Sequence, residues 1–457
     1  MIAIVGAGPA GLLAAWHAAR AGHPVTVLER APVVGGLAGS FELAGQRVDH
    51  GSHRLHPSID PMLLAELKGL LGADLQVRLR NGRIAMAGRL LSFPLRTTDL
   101  VRNLPRGLAA RMALDVVVAP LRRPRDDTYA EVVRAGLGPT VHGTFYGPYA
   151  RKLWGVDGSA LAGEVARRRI AASSPMAIAR KLRRATNPGS RTFLYPRRGF
   201  GEISEALADA ATSAGAEVRV GTGVTSLVPG DDGVRVVLDD GTTVDARQVW
   251  STAPVASLAS LVEGAPAEVH EAAARLEHRA MVFLYLALDA PSWTSFDAHY
   301  FPEPAVVASR LSEPKRYRDN DEDPTDSTVL CAEVPCSEGD EIWASSPDDL
   351  AARLGNELVA AGLPPMRVVD VAVRRASRVY PVYRPGYGTD LATVEAWVED
   401  LPGVVTFGRQ GLFVADNSHH VLAMGWALAG SLMSDGTIDG AAWRRARESF
   451  RAFVVED

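Results

Sequence analysis

"MIAIVGAGPAGLLAAWHAARAGHPVTVLER", residues 1–30, decides the fold. The apolar run Ile2 to Val5 is too short for a helix and is bounded by glycine, so it reads as a buried strand. Ala10 to Ala21 carries a helical pattern, and "PVTVLER" (24–30) supplies a second strand. Strand, helix and strand within one such stretch open a doubly wound parallel sheet. Between the first strand and the helix stand Gly6, Gly8 and Gly11 in the G-x-G-x-x-G spacing. The first permits a tight turn, the second lets backbone approach a pyrophosphate, and the third lets the helix pack on the sheet. The helix N-terminus then offers N–H groups and partial positive charge to phosphate. Glu29 closes the second strand eighteen residues after Gly11, where a carboxylate accepts hydrogen bonds from ribose hydroxyls. A dinucleotide site is expected.

The chain has 457 residues, and a single core stops growing near roughly 250 to 300, so two domains or one large insertion are expected. Hydrophobic residues at 47% and charged residues at 22% exclude disordered and fibrous classes. A net charge of -4 gives no global attraction to nucleic acid or anionic lipid, which leaves only local patches to bind either. Cys331 and Cys336 lack the second pair a structural zinc site needs, and read as free thiols of a reducing cytoplasm. The apolar start has no positive leading region, and Gly and Pro interrupt it, so it is not read as a signal peptide. No run of about eighteen apolar residues occurs to span a membrane.

Further along, "GFGEISEALADAATSAG" (199–215) reads as a helix and "AEVRVGTGVTSLV" (216–228) as a strand. "GVRVVLDDGTTVDARQVWSTAP" (233–254) reads as a hairpin, turning at Asp240-Gly241, that leads to another strand. Residues 70–195 are rich in Arg, Pro and Leu with helical patterning, and 280–390 mix strand runs such as "MVFLYLAL" with polar loops. The acidic "RYRDNDEDPTDS" (316–327) reads as a solvated connection.

"RAPVVGGLAGSF" (30–41) places Arg30 and the pair Gly35-Gly36 after the acid, where a second close approach of backbone extends the site. With these motifs the N-terminus resembles the FAD-binding superfamily of amine oxidases, protoporphyrinogen oxidases, carotenoid-type desaturases and UDP-galactopyranose mutases. The resemblance implies an extended FAD, with the backbone of Val224 in "VGTGVTSL" (220–227) at the adenine. Four stretches are most similar to the mutase branch: "GSHRLHP" (51–57) to its Gly-x-His-x-x-His segment beside the flavin, "LSFPL" (91–95), "YGPYARKLWGVDGSAL" (146–161), and "FGRQGLFVADNSHHVLAMGWAL" (407–428), which closes over the flavin. Gly408, Arg409 and Met424 in the last are implied cofactor contacts.

The implied architecture is α/β, a doubly wound, Rossmann-like FAD-binding domain (1–70, 196–262, 396–457) with an inserted α+β substrate domain, helical over 71–195 and a sheet over 263–395. His53 and His56 could pair on a metal if helical, yet Arg54 and the flanking Gly and Pro speak for a loop, and no metal is expected. They either pack a turn or, as the resemblance implies, lie near flavin N5 and relay a proton. Lys152 belongs to the mutase-like element. In "RRASRVYPVYRPGY" (374–387), Tyr380, Tyr383, Arg384 and Tyr387 either line the substrate side of the flavin or cover a domain seam.

Two departures oppose a strict galactopyranose mutase. Its Arg-Thr-x-x-x-Asp-Asp-Arg-Tyr-Phe pattern is absent, and where it reads Tyr-x-Tyr-x-Asp-Met this chain has Phe413, Val414, Ala415, Asp416 and Asn417. The basic density at Arg167, Arg168, Arg169, Arg180, Lys181, Arg183, Arg184 and Arg191 is either a solvated face or a cleft for an anionic substrate. A third reading lays an amphipathic segment such as 105–124 on anionic lipid. The expected function is FAD-dependent oxidation of a small molecule, anionic or nucleotide-linked, by hydride transfer from a C–N or C–C bond. A mutase-like isomerase through reduced flavin and a non-catalytic FAD- or prenyl-binding escort are the alternatives.

Overall fold

The computed structural model describes residues 1–94, 99, 102–169 and 191–455. Its first layer is a five-stranded sheet in the order Val404–Thr406, Gln248–Ser251, Ile2–Val5, Val25–Leu28, Glu217–Arg219, with every neighbouring pair parallel. All four residues of Val25–Leu28 and of Gln248–Ser251 are buried, as strands covered on both faces require. The helix Pro9–Arg20 covers one face, flanked by the helices Glu202–Ser213 and Ser418–Gly430. Gly425 makes that second crossing possible: a Cβ there would lie 2.4 Å from the carbonyl oxygen of Ala10.

The second layer is a seven-stranded sheet, ordered Val368–Pro381, His278–Leu288, Thr328–Cys336, Arg310–Ser312, Ala298–Tyr300, Gly82–Met86, Arg89–Phe93. It is antiparallel except where Ala298–Tyr300 meets Gly82–Met86. Alternation along His278–Leu288 divides its two faces. Val282, Leu284 and Leu286 pack under the helix Pro347–Ala360 through Leu350, Leu354 and Leu358. Met281, Phe283 and Tyr285 face Val48 and Phe41 of the N-terminal part, and this second face floors the cleft described below.

Three expectations change. Residues 71–195, read as helical, also hold the strands Leu75–Leu79, Gly82–Met86 and Arg89–Phe93, and the strand Thr192–Pro196 begins there. Ala87 and Gly88, at φ of 51° and 69°, make the hairpin turn between the second and third. "AEVRVGTGVTSLV" forms two strands, because Gly221, at φ of 66°, ends Glu217–Arg219 in the parallel sheet before Val224–Gly230 starts in a three-stranded antiparallel one. The acidic connection is only partly solvated. The buried Arg318 guanidinium holds Asp323 through two bonds of 2.8 and 2.5 Å, and Lys315 donates to the Ser327 carbonyl at 2.9 Å.

Candidate active site

The glycine loop is shaped differently at each glycine. Gly6 has φ of 104°, and a Cβ on it would lie 2.1 Å from Thr252 Oγ1; a Cβ on Gly11 would lie 2.1 Å from the Gly6 carbonyl oxygen. Both must be glycine for the protein's own packing. Gly8 differs. Its backbone (φ -77°, ψ 174°) suits any residue, and a Cβ there meets no protein atom within 4 Å, so nothing in the chain itself demands glycine. Such open space at the N-terminus of the helix Pro9–Arg20 is what close approach of a phosphate requires.

Glu29 braces this loop: one carboxylate oxygen accepts from Ala7 N–H and the other from Ala31 N–H, both at 2.8 Å. Arg30 beside it is exposed. Thr222 N–H donates to the Glu29 carbonyl and Gly221 N–H to that of Ala31, both at 2.8 Å, which brings the segment leading into Val224 alongside the acid. Gly35 (φ 109°) donates its N–H to Ala7 O at 2.8 Å, and Gly36 (φ 56°) follows. Gly408 (φ 76°) begins the short helix Gly408–Gly411, where its Cβ would be 3.3 Å from Ala10 Cβ. These turns form an extended cradle for a dinucleotide.

The cradle runs into a cleft of about 140 Å³ between the two layers. His50, His53, Arg54, Arg310, Tyr380 and Arg409 are among its lining, with Glu333 and Asp416. The stretch 50–57 contains no helix, so its histidines are spread along an extended loop. His50 Nδ1 donates to the Gly36 carbonyl at 2.9 Å and ties the loop to the cradle. Burial, reinforced by Arg374, lowers its pKa to about 4. His53 stacks on Phe200 with centroids 5.2 Å apart. Burial first, then Arg310 and Arg409, lower its pKa to about 3, which favours the neutral ring. His56 reaches Ser58 Oγ at 2.7 Å at the rim.

Arg310 makes a fork with Glu333 (3.1 and 2.5 Å) and donates to Ser52 O at 2.8 Å. Arg409 donates from Nη2 to Val379 O at 2.8 Å and lies 5.3 Å from the centre of the Tyr380 ring, while its buried Nε has no acceptor among the described residues. Asp416 accepts from Arg168 at 2.9 Å. Burial lifts its pKa to about 6, opposed by Arg168 and Arg409.

Several expected site residues lie elsewhere. Lys152 is outside the cleft lining, and its ammonium donates to the carbonyls of Phe301 (2.5 Å), Val306 (2.7 Å), Ala308 (3.2 Å) and Glu303, pinning one loop. Burial lowers its pKa to about 7. Arg384 pairs with Glu277 at 3.1 Å, also outside the cleft. Tyr383 and Tyr387 line a second cavity of about 440 Å³ with Phe413 and Arg447. Only Tyr380 of that aromatic set reaches the cleft, because it ends the strand Val368–Pro381 while the others follow it. Met424 is fully buried in the helix-and-sheet core, whereas Val224 follows the segment that Thr222 and Gly221 tie alongside Glu29, at the far end of the cradle from the cleft. Arg180, Lys181, Arg183, Arg184 and Leu95 lie outside the described residues.

The family model for flavin-containing amine oxidoreductases matches residues 9–434, nearly the whole chain. The chain belongs to this family. FAD is therefore its cofactor, in agreement with the cradle. A phytoene dehydrogenase of Streptomyces griseus is 42% identical over 88 residues, which cover 19% of this chain and 17% of that enzyme. Reduced UDP-galactopyranose mutase has the same fold with a TM-score of 0.82 at 19% identity, over 98% of each chain. A protein of Exiguobacterium sp. 255-15 described as a protoporphyrinogen oxidase follows with a TM-score of 0.73 at 19% identity, over 94% of this chain and 98% of that one.

The sequence reading of this flavoenzyme passed over His50, Arg54, Arg310, Glu333 and Asp416. Arg54 stood inside the quoted stretch 51–57 and His50 directly before it, and Asp416 stood in the quoted segment 407–428. Arg310 and Glu333 carry no local signal, since strand pairing alone makes them neighbours.

Proposed function

We propose that this flavoenzyme oxidises a small anionic molecule at a C–N or C–C bond. One observation carries the reading: five arginines (Arg54, Arg80, Arg169, Arg310, Arg409) and only two carboxylates (Glu333, Asp416) line the cleft beside the cradle. Guanidinium forks in a low-dielectric cleft favour carboxylate or phosphate. FAD supplies the hydride acceptor. Gly6, Gly8, Gly11, Glu29, Arg30, Gly35, Gly36, Gly408 and Arg409 would hold it, with the stretches 1–70, 196–262 and 396–457 as its domain. His50 would fix the loop under it, Tyr380 would shape the substrate side, and the remaining segments would close the cleft and exclude water. A mutase-like reaction on a nucleotide-linked substrate is the second reading, favoured by the same arginines and opposed by Ala415.

The test is the visible spectrum of the purified protein during titration with UDP, UDP-sugars and small amino and hydroxy carboxylates. A flavin band that shifts with carboxylates and reduces on their addition supports the oxidase reading; a shift confined to UDP compounds favours the mutase-like one. A band indifferent to every anion would remove the anionic substrate.

We also propose a peripheral contact with anionic lipid. In the segment 105–124, the helix Arg106–Val118 and the turn after it expose Leu114 (62%), Val117 (73%) and Leu121 (83%) at helical spacing. Arg106, Arg111 and Arg123 are exposed around them, while the acid Asp115 is buried against Arg122. Among the described residues no helix is long and apolar enough to cross a membrane. Sedimentation with phosphatidylglycerol vesicles should pull down the protein, and Leu114→Ser with Leu121→Ser should release it; no binding to such vesicles sinks the contact.

A further inference from the structure

Among the described residues of the cleft, Arg54 is the guanidinium with all three nitrogens buried and without a hydrogen bond. Arg54 has a side chain only 8% exposed, yet Nε, Nη1 and Nη2 all lack a hydrogen-bond acceptor among the described residues. Its counter-ion Asp297, 4% exposed, stands with Oδ1 3.1 Å from Nη2 but outside hydrogen-bonding geometry, and that oxygen is itself without a donor. Asp297 is spent elsewhere, since its Oδ2 accepts from Asn81 N–H at 2.9 Å.

The aromatic surroundings hold the guanidinium in place without using its N–H groups. Its central carbon lies 4.8 Å from the centre of the Phe193 ring and 4.5 Å from that of Tyr317, two rings that meet edge to face. Tyr317 is fixed in turn by Ser52, whose hydroxyl is 2.8 Å from the tyrosine oxygen. Aromatic rings stabilise a cation through their electron-rich faces and accept none of its in-plane hydrogen bonds. The neighbouring Arg310 differs: its fork is already filled by Glu333, with the Ser52 carbonyl on Nη2 as well.

A buried donor left unsatisfied costs free energy, more so when charged, and native proteins keep few of them. One that lines a cleft is accounted for by a ligand that completes it. We propose that Arg54 is the residue that grips the substrate's oxyanion group, a carboxylate or a phosphate, through its planar N–H edge. The inference rests on the anionic-cleft reading above and names the residue that selects the substrate class. Arg310 then keeps Glu333 neutralised, and Asp297 acts as a weak internal competitor for the same guanidinium.

The test uses the FAD-loaded protein and four probes, succinate and benzoate for carboxylates and pyrophosphate and UDP for phosphates, followed by flavin difference spectra and by calorimetry. Arg54→Met should weaken the bound probe by roughly tenfold to a hundredfold, the loss of a charge-assisted pair of hydrogen bonds, with flavin content unchanged. Arg54→Lys, which keeps the charge and loses the fork, should retain phosphate binding better than carboxylate binding. Asp297→Asn, which removes the competitor and leaves Arg54 in place, should tighten binding several-fold, an effect that a purely structural Arg54 would not produce. It also serves where Arg54→Met fails to fold. Equal affinity in wild type and Arg54→Met, or unchanged or weaker binding in Asp297→Asn, overturns the role of Arg54 while leaving the anionic cleft standing. Failure of all four probes to bind wild type removes the anionic cleft itself.

Discussion

The two sides of the cleft are built on different principles. On the nucleotide side, main-chain atoms and glycines within the first forty residues do the work: Gly6, Gly8, Gly11, Gly35 and Gly36 shape the chain, and a single side chain, Glu29, braces it. On the opposite side, side chains from separate segments converge: Arg54 meets Asp297 hundreds of positions away, and the Arg310–Glu333 pair meets the Ser52 carbonyl across a similar separation. A backbone device must keep its spacing, whereas a side-chain device needs only the right residue wherever the fold delivers it.

The sharpest way to break this contrast is at the glycines. Gly11→Val should cost about 3 kcal/mol or more in both FAD-free and loaded protein, because its Cβ meets the Gly6 carbonyl. Gly8→Val should leave the melting temperature of the FAD-free protein unchanged while FAD affinity falls roughly a hundredfold, since only the ligand needs that space. Calorimetric melting and flavin content separate the two; a Gly8→Val protein that melts early without FAD would make the second glycine structural.

A smaller effect tests the substrate side. Asp416, with a folded pKa near 6 against 3.8 ordinarily, contributes stability that is fully present below about pH 4 and is lost as pH rises through about 6. His50 and His53, at about 4 and 3 against 6.5, run the other way, their contribution being present above about pH 6.5 and lost on acidification. Wild type should therefore lose stability between pH 6.5 and 4, and Asp416→Asn should lose it more steeply. Equal slopes in melting temperature against pH would place the Asp416 carboxyl in a solvated setting.

The same contrast governs what could be read without a structure. The parallel sheet and the glycine turns were legible because each is fixed by a local pattern with one physical meaning, whereas the bracing of Ala7 and Ala31 by Glu29 was not. Tyr380 was legible as part of an aromatic set, but nothing in "VYPVYRPGY" says that the strand ends at Pro381 and sends Tyr383 and Tyr387 to another cavity. Lys152 was misplaced for a related reason. A lysine beside Trp154 in a cofactor-like element looks chemical until the carbonyls of 301–308 are seen around it. Arg54 could have been found as the lone arginine of a histidine-rich stretch, whereas Arg310 and Glu333 required the register of two strands.

The strand His278–Leu288 shows where such a protein can change. Its face of Val282, Leu284 and Leu286 belongs to a core that must stay filled, while Met281 and Phe283 on the opposite face look into the cleft. Exchanges at those two positions alter the shape offered to a substrate while leaving the glycine turns and their backbone geometry untouched. The positions open to exchange and the turns that set the backbone path thus lie on separate surfaces of the protein.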